Sequence, residues 1–280
     1  MPSMLRLLLA LAILTLATPA AALPSGQPIV IGTAYDLPSK VLNQTRRLNI
    51  YLPAGYAEGA KTYPVIYLLD GGEAEDFHHI TGLAQVGAMN GYMADVIVVG
   101  IAGADRKHDL TAPSSDPRDI KEVPTPGGSA NDRRFIREDL RPWVAANFRT
   151  DGRRALMGES LDGLFVVETF LKDPALFDTY IAISPSLWWD RNSLAKSSAE
   201  RLAGPPLLLR LYLSLRDEGA AMGLDPLLAA LKANPLSGVT WRYDPRPEEH
   251  HNTIYHPAAS AALRWLYPKQ NPSPARGEGF

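Results

Sequence analysis

The residues best suited to covalent chemistry lie in Met157-Gly158-Glu159-Ser160-Leu161-Asp162-Gly163, where a short apolar run gives way to a helical pattern. A serine on a sharp strand-to-helix turn has its hydroxyl lifted clear of the sheet. The amide of the next residue, Leu161, is then free to donate to an oxyanion. The start of a helix adds positive potential where negative charge would develop. A serine that merely caps the helix is the plain alternative. The usual turn reads Gly-x-Ser-x-Gly, and Asp162 stands here at the second glycine. Strand and helix pass closely at that point. The aspartate is therefore expected to point outward or strain the turn, with Gly163 supplying part of the room.

A serine hydroxyl needs a base to take its proton. Of the histidines at 78, 79, 108, 250, 251 and 256, the last three follow a strand at Val239–Tyr243 and precede the final helix. In a serine–acid–histidine chain order the base belongs there. His251 is the first choice, His250 the fallback, and His256 reads as a helix-start residue. The orienting acid should follow the apolar run Leu207–Leu215, which leaves Glu218 or Asp217. A second oxyanion donor should come from the loop after Val65–Leu69, where Asp70-Gly71-Gly72 points to the Gly72 amide. A histidine metal site is the rival reading, but no His-Glu-x-x-His helix supports one, so neither metal nor organic cofactor is expected.

Composition narrows the chemistry further. The 280 residues include no cysteine, which removes disulfides, thiol nucleophiles, iron–sulfur clusters and thiolate-bound zinc. With 28 Lys+Arg against 30 Asp+Glu there is no basic footprint for a nucleic acid.

The elements that must position these residues are legible as apolar runs. Val65–Leu69, Val96–Val99, Ala155–Met157, Tyr180–Ile183 and Leu207–Leu215 each end in Gly, Ser, Asp or Arg. Unbroken apolar runs suit strands buried on both faces. Helical stretches over 133–147, 161–172, 225–233 and 257–266 alternate with them, which predicts an α/β chain with a mostly parallel central sheet and helices on both faces. Nearer the start, Ile29–Ile31 and Leu48–Leu52 read as strands, with a polar strand and turn at a sheet edge over Ser39–Arg46. The stretch 104–131, with four prolines and Gly127-Gly128, is too long for a plain connector and is expected to be functional.

Residues 1–22 have the form of a secretory signal: Arg6, an apolar run from Leu7 to Ala17, then Pro19 and Ala20-Ala21-Ala22. Export to the periplasm or outside the cell is expected, with no stable membrane association. One domain is expected over 23–267, and a disordered tail over 268–280.

These motifs resemble the α/β-hydrolase "putative esterase" family, the branch of catecholate-siderophore esterases and esterase D. The resemblance rests on Leu68-Leu69-Asp70-Gly71, the run Gly103–Thr111, Gly158-Glu159-Ser160-Leu161, Ile183-Ser184-Pro185-Ser186-Leu187-Trp188-Trp189, and His251–Ala258. It implies an α/β-hydrolase fold, Ser160 as nucleophile, His251 as base, and oxyanion amides on Gly72 and Leu161. Arg106 would lie near substrate, or staple its own loop through Asp105 or Asp109. Trp188 and Trp189 would wall an acyl pocket or sit in the core. Glu159 stands where the family commonly has histidine, and a carboxylate there would disfavour anionic esters. The function implied is hydrolysis of a small-molecule ester through an acyl-enzyme. Acyl transfer on the same scaffold, or binding without turnover, remain alternatives.

Overall fold

Alternate side chains of the central strands feed two different cores, which is why these runs are apolar without a break. In the strand Tyr63–Leu68, Val65 and Tyr67 face one side of the sheet while Ile66 and Leu68 face the other. The computed structural model describes residues 26–216, 219–234 and 238–269. The proposed leader, the acid candidates Asp217 and Glu218, and residues 270–280 of the expected tail lie outside the described residues.

From Ile31 onward eight strands form one sheet. They are β1 (Thr33–Ser39), β2 (Gln44–Tyr51), β3 (Tyr63–Leu68), β4 (Ile97–Ile101), β5 (Thr150–Glu159), β6 (Thr179–Ile183), β7 (Leu209–Leu215) and β8 (Val239–Pro245). Their order in the sheet is β1-β2-β4-β3-β5-β6-β7-β8. The β1–β2 and β2–β4 pairs are antiparallel, and every later pair is parallel. Helices α1 (Phe77–Met89) and α4 (Tyr255–Leu266) contribute to the core on one face. Helices α2 (Leu161–Lys172) and α3 (Asp225–Ala233), with the helical run from Ser129 to Asn147, contribute to the other. The α/β architecture with covered faces is as the apolar runs predict.

Three local expectations are corrected. Ile29–Ile31 forms no strand, and pairing begins two residues later at Thr33, where β1 can lie against β2. No helix is legible at α1, whose segment carries Gly82, Gly87 and two histidines; burial of Phe77, Ile80 and Ala84 against the sheet overrides that weak propensity. Pro268, expected in the tail, bridges to Met93.

The stretch 104–131 is built, not loose. It contains short helices at Arg106–Asp109 and Pro117–Glu122, and the buried Arg46 on β2 anchors its frame. The Arg46 guanidinium pairs with Asp109 at 2.6 Å and Asp132 at 3.2 Å. Asp109 thus serves Arg46 and does not staple Arg106. Burial pushes the Asp132 carboxyl up to about 7 despite Arg46, which marks how much this cluster needs its cation. Removing one partner of a buried ion pair leaves an uncompensated charge and costs about 3 kcal/mol or more. Arg46→Ala should therefore lower the urea midpoint by that equivalent at unchanged slope, and a wild-type midpoint would refute the role given to Arg46.

Candidate active site

The chain turns from β5 into α2 through Ser160, whose backbone sits at φ 62 and ψ −117. Such a conformation is unfavourable for a residue with a Cβ and persists only where its surroundings enforce it. Here they do. The Ser160 amide donates to the Ile183 carbonyl at 3.1 Å, and the Ser160 carbonyl accepts from the Ser186 amide at 3.0 Å. Both partners belong to the end of β6 and the turn after it. A Cβ on Gly158 would lie 2.3 Å from the Asp162 Cβ, and one on Gly163 would lie 2.9 Å from the Ile183 carbonyl. The close approach of strand and helix is therefore carried by glycines at 158 and 163, which frees position 162 for a side chain. Of the two expectations for Asp162, an outward side chain or a strained turn, the outward one fails. Asp162 is buried, and Arg106 Nη2 donates to it at 3.0 Å.

His251, in the loop between β8 and α4, reaches Ser160 with Nε2 lying 3.1 Å from Oγ. Its other nitrogen, Nδ1, is 3.0 Å from the hydroxyl of Ser184. If Nδ1 carries the proton and donates it to Ser184, the lone pair of Nε2 faces Ser160, as a general base requires. Sequence reasoning offers Asp217 or Glu218 as the orienting acid, both outside the described residues, and misses Ser184. The signal was present, since Ser184 ends the strand beside the elbow within the quoted Ser-Pro-Ser run. Ser184 is fully buried at φ 42, with its amide held by the Ser214 carbonyl at 2.8 Å. His250, the fallback, instead accepts at its carbonyl from the Thr253 and Ile254 amides. His256 stands at the start of α4 and its Nδ1 meets His79 Nε2 at 3.0 Å.

The other candidates fall into place unevenly. The Leu161 amide opens α2 and is the first helical N–H beyond the serine. The Gly72 amide is engaged by the exposed Glu75 carboxylate at 2.6 Å, so an oxyanion can use it only once that side chain swings away. Arg106 pairs with Asp70 and Asp162, neither of which is the loop partner expected. Glu159 is half-buried beside Ser160. Burial, then the charges of Asp76 and Asp70, push its carboxyl up to about 7 against the pull of Arg106. Trp189 is buried, and its indole donates to the Ala112 carbonyl at 3.0 Å, while Trp188 is half-buried against it. Trp189 also walls a cavity of about 380 Å³ with Pro113, Leu164 and Leu194, but Ser160 does not line that cavity. Among the described residues, no group of three or more metal-ligating side chains is placed to hold an ion. No helix there is long and apolar enough to cross a membrane.

Residues 39–214 match the family described as "Putative esterase". The chain belongs to that family. Relatives in it are the ferri-bacillibactin esterase BesA of Bacillus subtilis, 32% identical over 180 residues, and the siderophore enterobactin esterase of Emericella nidulans, 33% identical over 120 residues. The first alignment covers 56% of this chain and 59% of the relative, and the second 40% of each, so the chain spans only about half the length of these relatives. An IroE-like serine hydrolase from Shewanella oneidensis superposes with a TM-score of 0.76 at 28% identity, over 84% of this chain and 80% of that one. The BES protein of Bacillus cereus shares the fold at the same TM-score and 24% identity, over 88% of this chain and 99% of that one. The fold is that of the α/β-hydrolases.

Two outcomes follow from the environment of His251. Burial, then the positive charges of Arg216 and Arg106, hold its pKa below the ordinary 6.5. A lowered pKa keeps the imidazole neutral, and so competent as a base, further into acid. The acid limb of kcat/KM for a neutral ester should then have its midpoint below pH 6.5, and a midpoint above 7 would contradict this environment. The hydroxyl of Ser184 is a neutral partner, worth about 1 kcal/mol. Ser184→Ala should therefore lower kcat/KM roughly fivefold, far short of the ~10⁴-fold in kcat lost when a triad acid is disabled.

Proposed function

We propose that this chain is a serine esterase that cleaves a small-molecule ester, and that its substrates are siderophore-type esters. The observation that carries the reading is the 3.1 Å contact of His251 Nε2 with Ser160 Oγ at a strained strand-to-helix turn. Membership of the esterase family supports the reaction class. The names of three relatives at 31–33% identity, a ferri-bacillibactin esterase and two siderophore esterases, support the substrate class.

In this reading Ser160 Oγ attacks the ester carbonyl carbon as its proton passes to His251 Nε2. The carbonyl oxygen becomes an oxyanion held by the Leu161 amide, and by the Gly72 amide once Glu75 has moved. Collapse breaks the bond to the alkoxy group, which leaves with the proton from His251. Water then attacks the acyl-enzyme, giving its proton to His251, and the second collapse frees the acid and restores Ser160. The imidazolium formed in each half is steadied by the Ser184 hydroxyl and opposed by the charges of Arg216 and Arg106. No metal or organic cofactor enters these steps. Glu159 beside the serine weakens binding of ester groups that carry negative charge close to the scissile bond. The leader-like residues 1–22 support action outside the cytoplasm.

A fluorophosphonate probe tests the reading directly. It should label wild type and not Ser160→Ala, and in fractionated cells the labelled band should appear in the exported fraction. Equal labelling of both forms, or of neither, would sink the assignment of Ser160. A labelled band confined to the cytoplasm would sink export.

A further inference from the structure

We propose that Arg106 is a positioning residue for the oxyanion pocket, a tie that holds the segments carrying the Gly72 and Leu161 amides on one guanidinium. This rests on the esterase reading above and adds to it a role for a residue that touches neither the nucleophile nor the base. Arg106 opens a four-residue helix in the loop after β4. Its Nε donates to Asp70 Oδ2, and its Nη2 donates to Asp162 Oδ2 at 3.0 Å. Asp70 stands two residues before Gly72, and Asp162 directly follows Leu161. The three side chains thus join the loop after β3, the loop after β4 and the first turn of α2.

The surroundings fit a tie better than a substrate contact. Nε and Nη2 of Arg106 are spent on carboxylates, and Asp162 has a side chain only 3% exposed. Asp70 holds a left-handed backbone at φ 45, which fixes the direction of Gly71-Gly72, and the Gly71 amide is pinned to the Ile101 carbonyl at 2.9 Å. Position 162 is also where the elbow pattern carries glycine. The chain departs from that pattern with an aspartate whose carboxylate reaches Arg106. Burial, then the charge of Asp70, raises Asp162 well above the ordinary carboxylate range, so Arg106 is what limits the cost of two neighbouring acids. The two carboxyls also lie within hydrogen-bonding reach of each other, and the guanidinium bridges both.

The test uses the full chain and a neutral p-nitrophenyl ester. Deleting one oxyanion donor outright costs about 10²–10³ in kcat, so misaiming the pocket by Arg106→Met should cost on the order of 10–100-fold in kcat with little change in KM. The rate of fluorophosphonate labelling should fall in parallel. Arg106→Lys should recover little, because one ammonium cannot make the fork between two carboxylates. Asp162→Gly restores the usual residue and tests the tie from its other end, should Arg106→Met fail to fold. It should lower kcat about tenfold, Asp162→Asn should stay near wild type because an amide oxygen still accepts from Arg106, and Arg106→Met with Asp162→Gly should be no worse than Arg106→Met alone. Additive losses in the double variant would overturn the tie. So would a normal kcat in Asp162→Gly, or an Arg106→Met defect confined to KM for anionic esters, which would make Arg106 a substrate contact. If wild type neither hydrolyses the ester nor takes the probe, the esterase reading fails first and this inference falls with it.

Discussion

The arrangement depends on holding one serine in a conformation it does not favour. Ser160 at φ 62 turns the chain from β5 into α2, whose first residue is Leu161. The strain is of order 1–3 kcal/mol and must be met by contacts that exist only in the folded chain. Those contacts come from β6 and the turn after it, through Ile183 and Ser186, while glycines at 158 and 163 let strand and helix approach. Ser184 and Asp70, at the ends of neighbouring strands, are also held at positive φ. Three strained residues at the carboxyl ends of three adjacent strands form the rim from which the site is built. A parallel sheet gathers them there because its strands end on the same side.

Beside that rim lie two groups of paired charges. Arg46 with Asp109 and Asp132, and Arg106 with Asp70 and Asp162, are two clusters in which one guanidinium answers two carboxylates. Each cluster carries more acid than base, and burial raises the proton affinity of Asp132 and Asp162. The Arg106 cluster reaches the elbow itself through Asp162. His251 answers to the positive side of this field, with Arg216 and Arg106 opposing its protonation, and its Nδ1 partner is a neutral hydroxyl.

The family relationship explains the common parts, and this chain's departures explain its particular ones. An aspartate in the elbow would be a defect if it had to occupy the gap between strand and helix. It is accommodated because Gly158 leaves room for its Cβ at the close approach and the carboxylate finds Arg106. Glu159, in place of a residue that could be cationic, puts a carboxyl that titrates near neutrality beside the serine.

The sequence by itself determined the elements that carry the chemistry and their order. Apolar runs ending in Gly, Ser or Asp mark buried parallel strands, because a strand covered on both faces cannot alternate with polar residues. Gly158-Glu159-Ser160 at such an end, with His251 before the last helix, is legible for the same reason: strand ends and loop positions are local properties. Pairing across long separations is not local, and only the tertiary structure decided it. That Ser184 meets the Nδ1 of His251, that Arg106 joins Asp70 to Asp162, that Asp109 answers Arg46, and that Glu75 covers the Gly72 amide all depend on which strands lie side by side. Helix α1 was hidden for a related reason, since its stability comes from burial against the sheet and not from residues that favour a helix on their own.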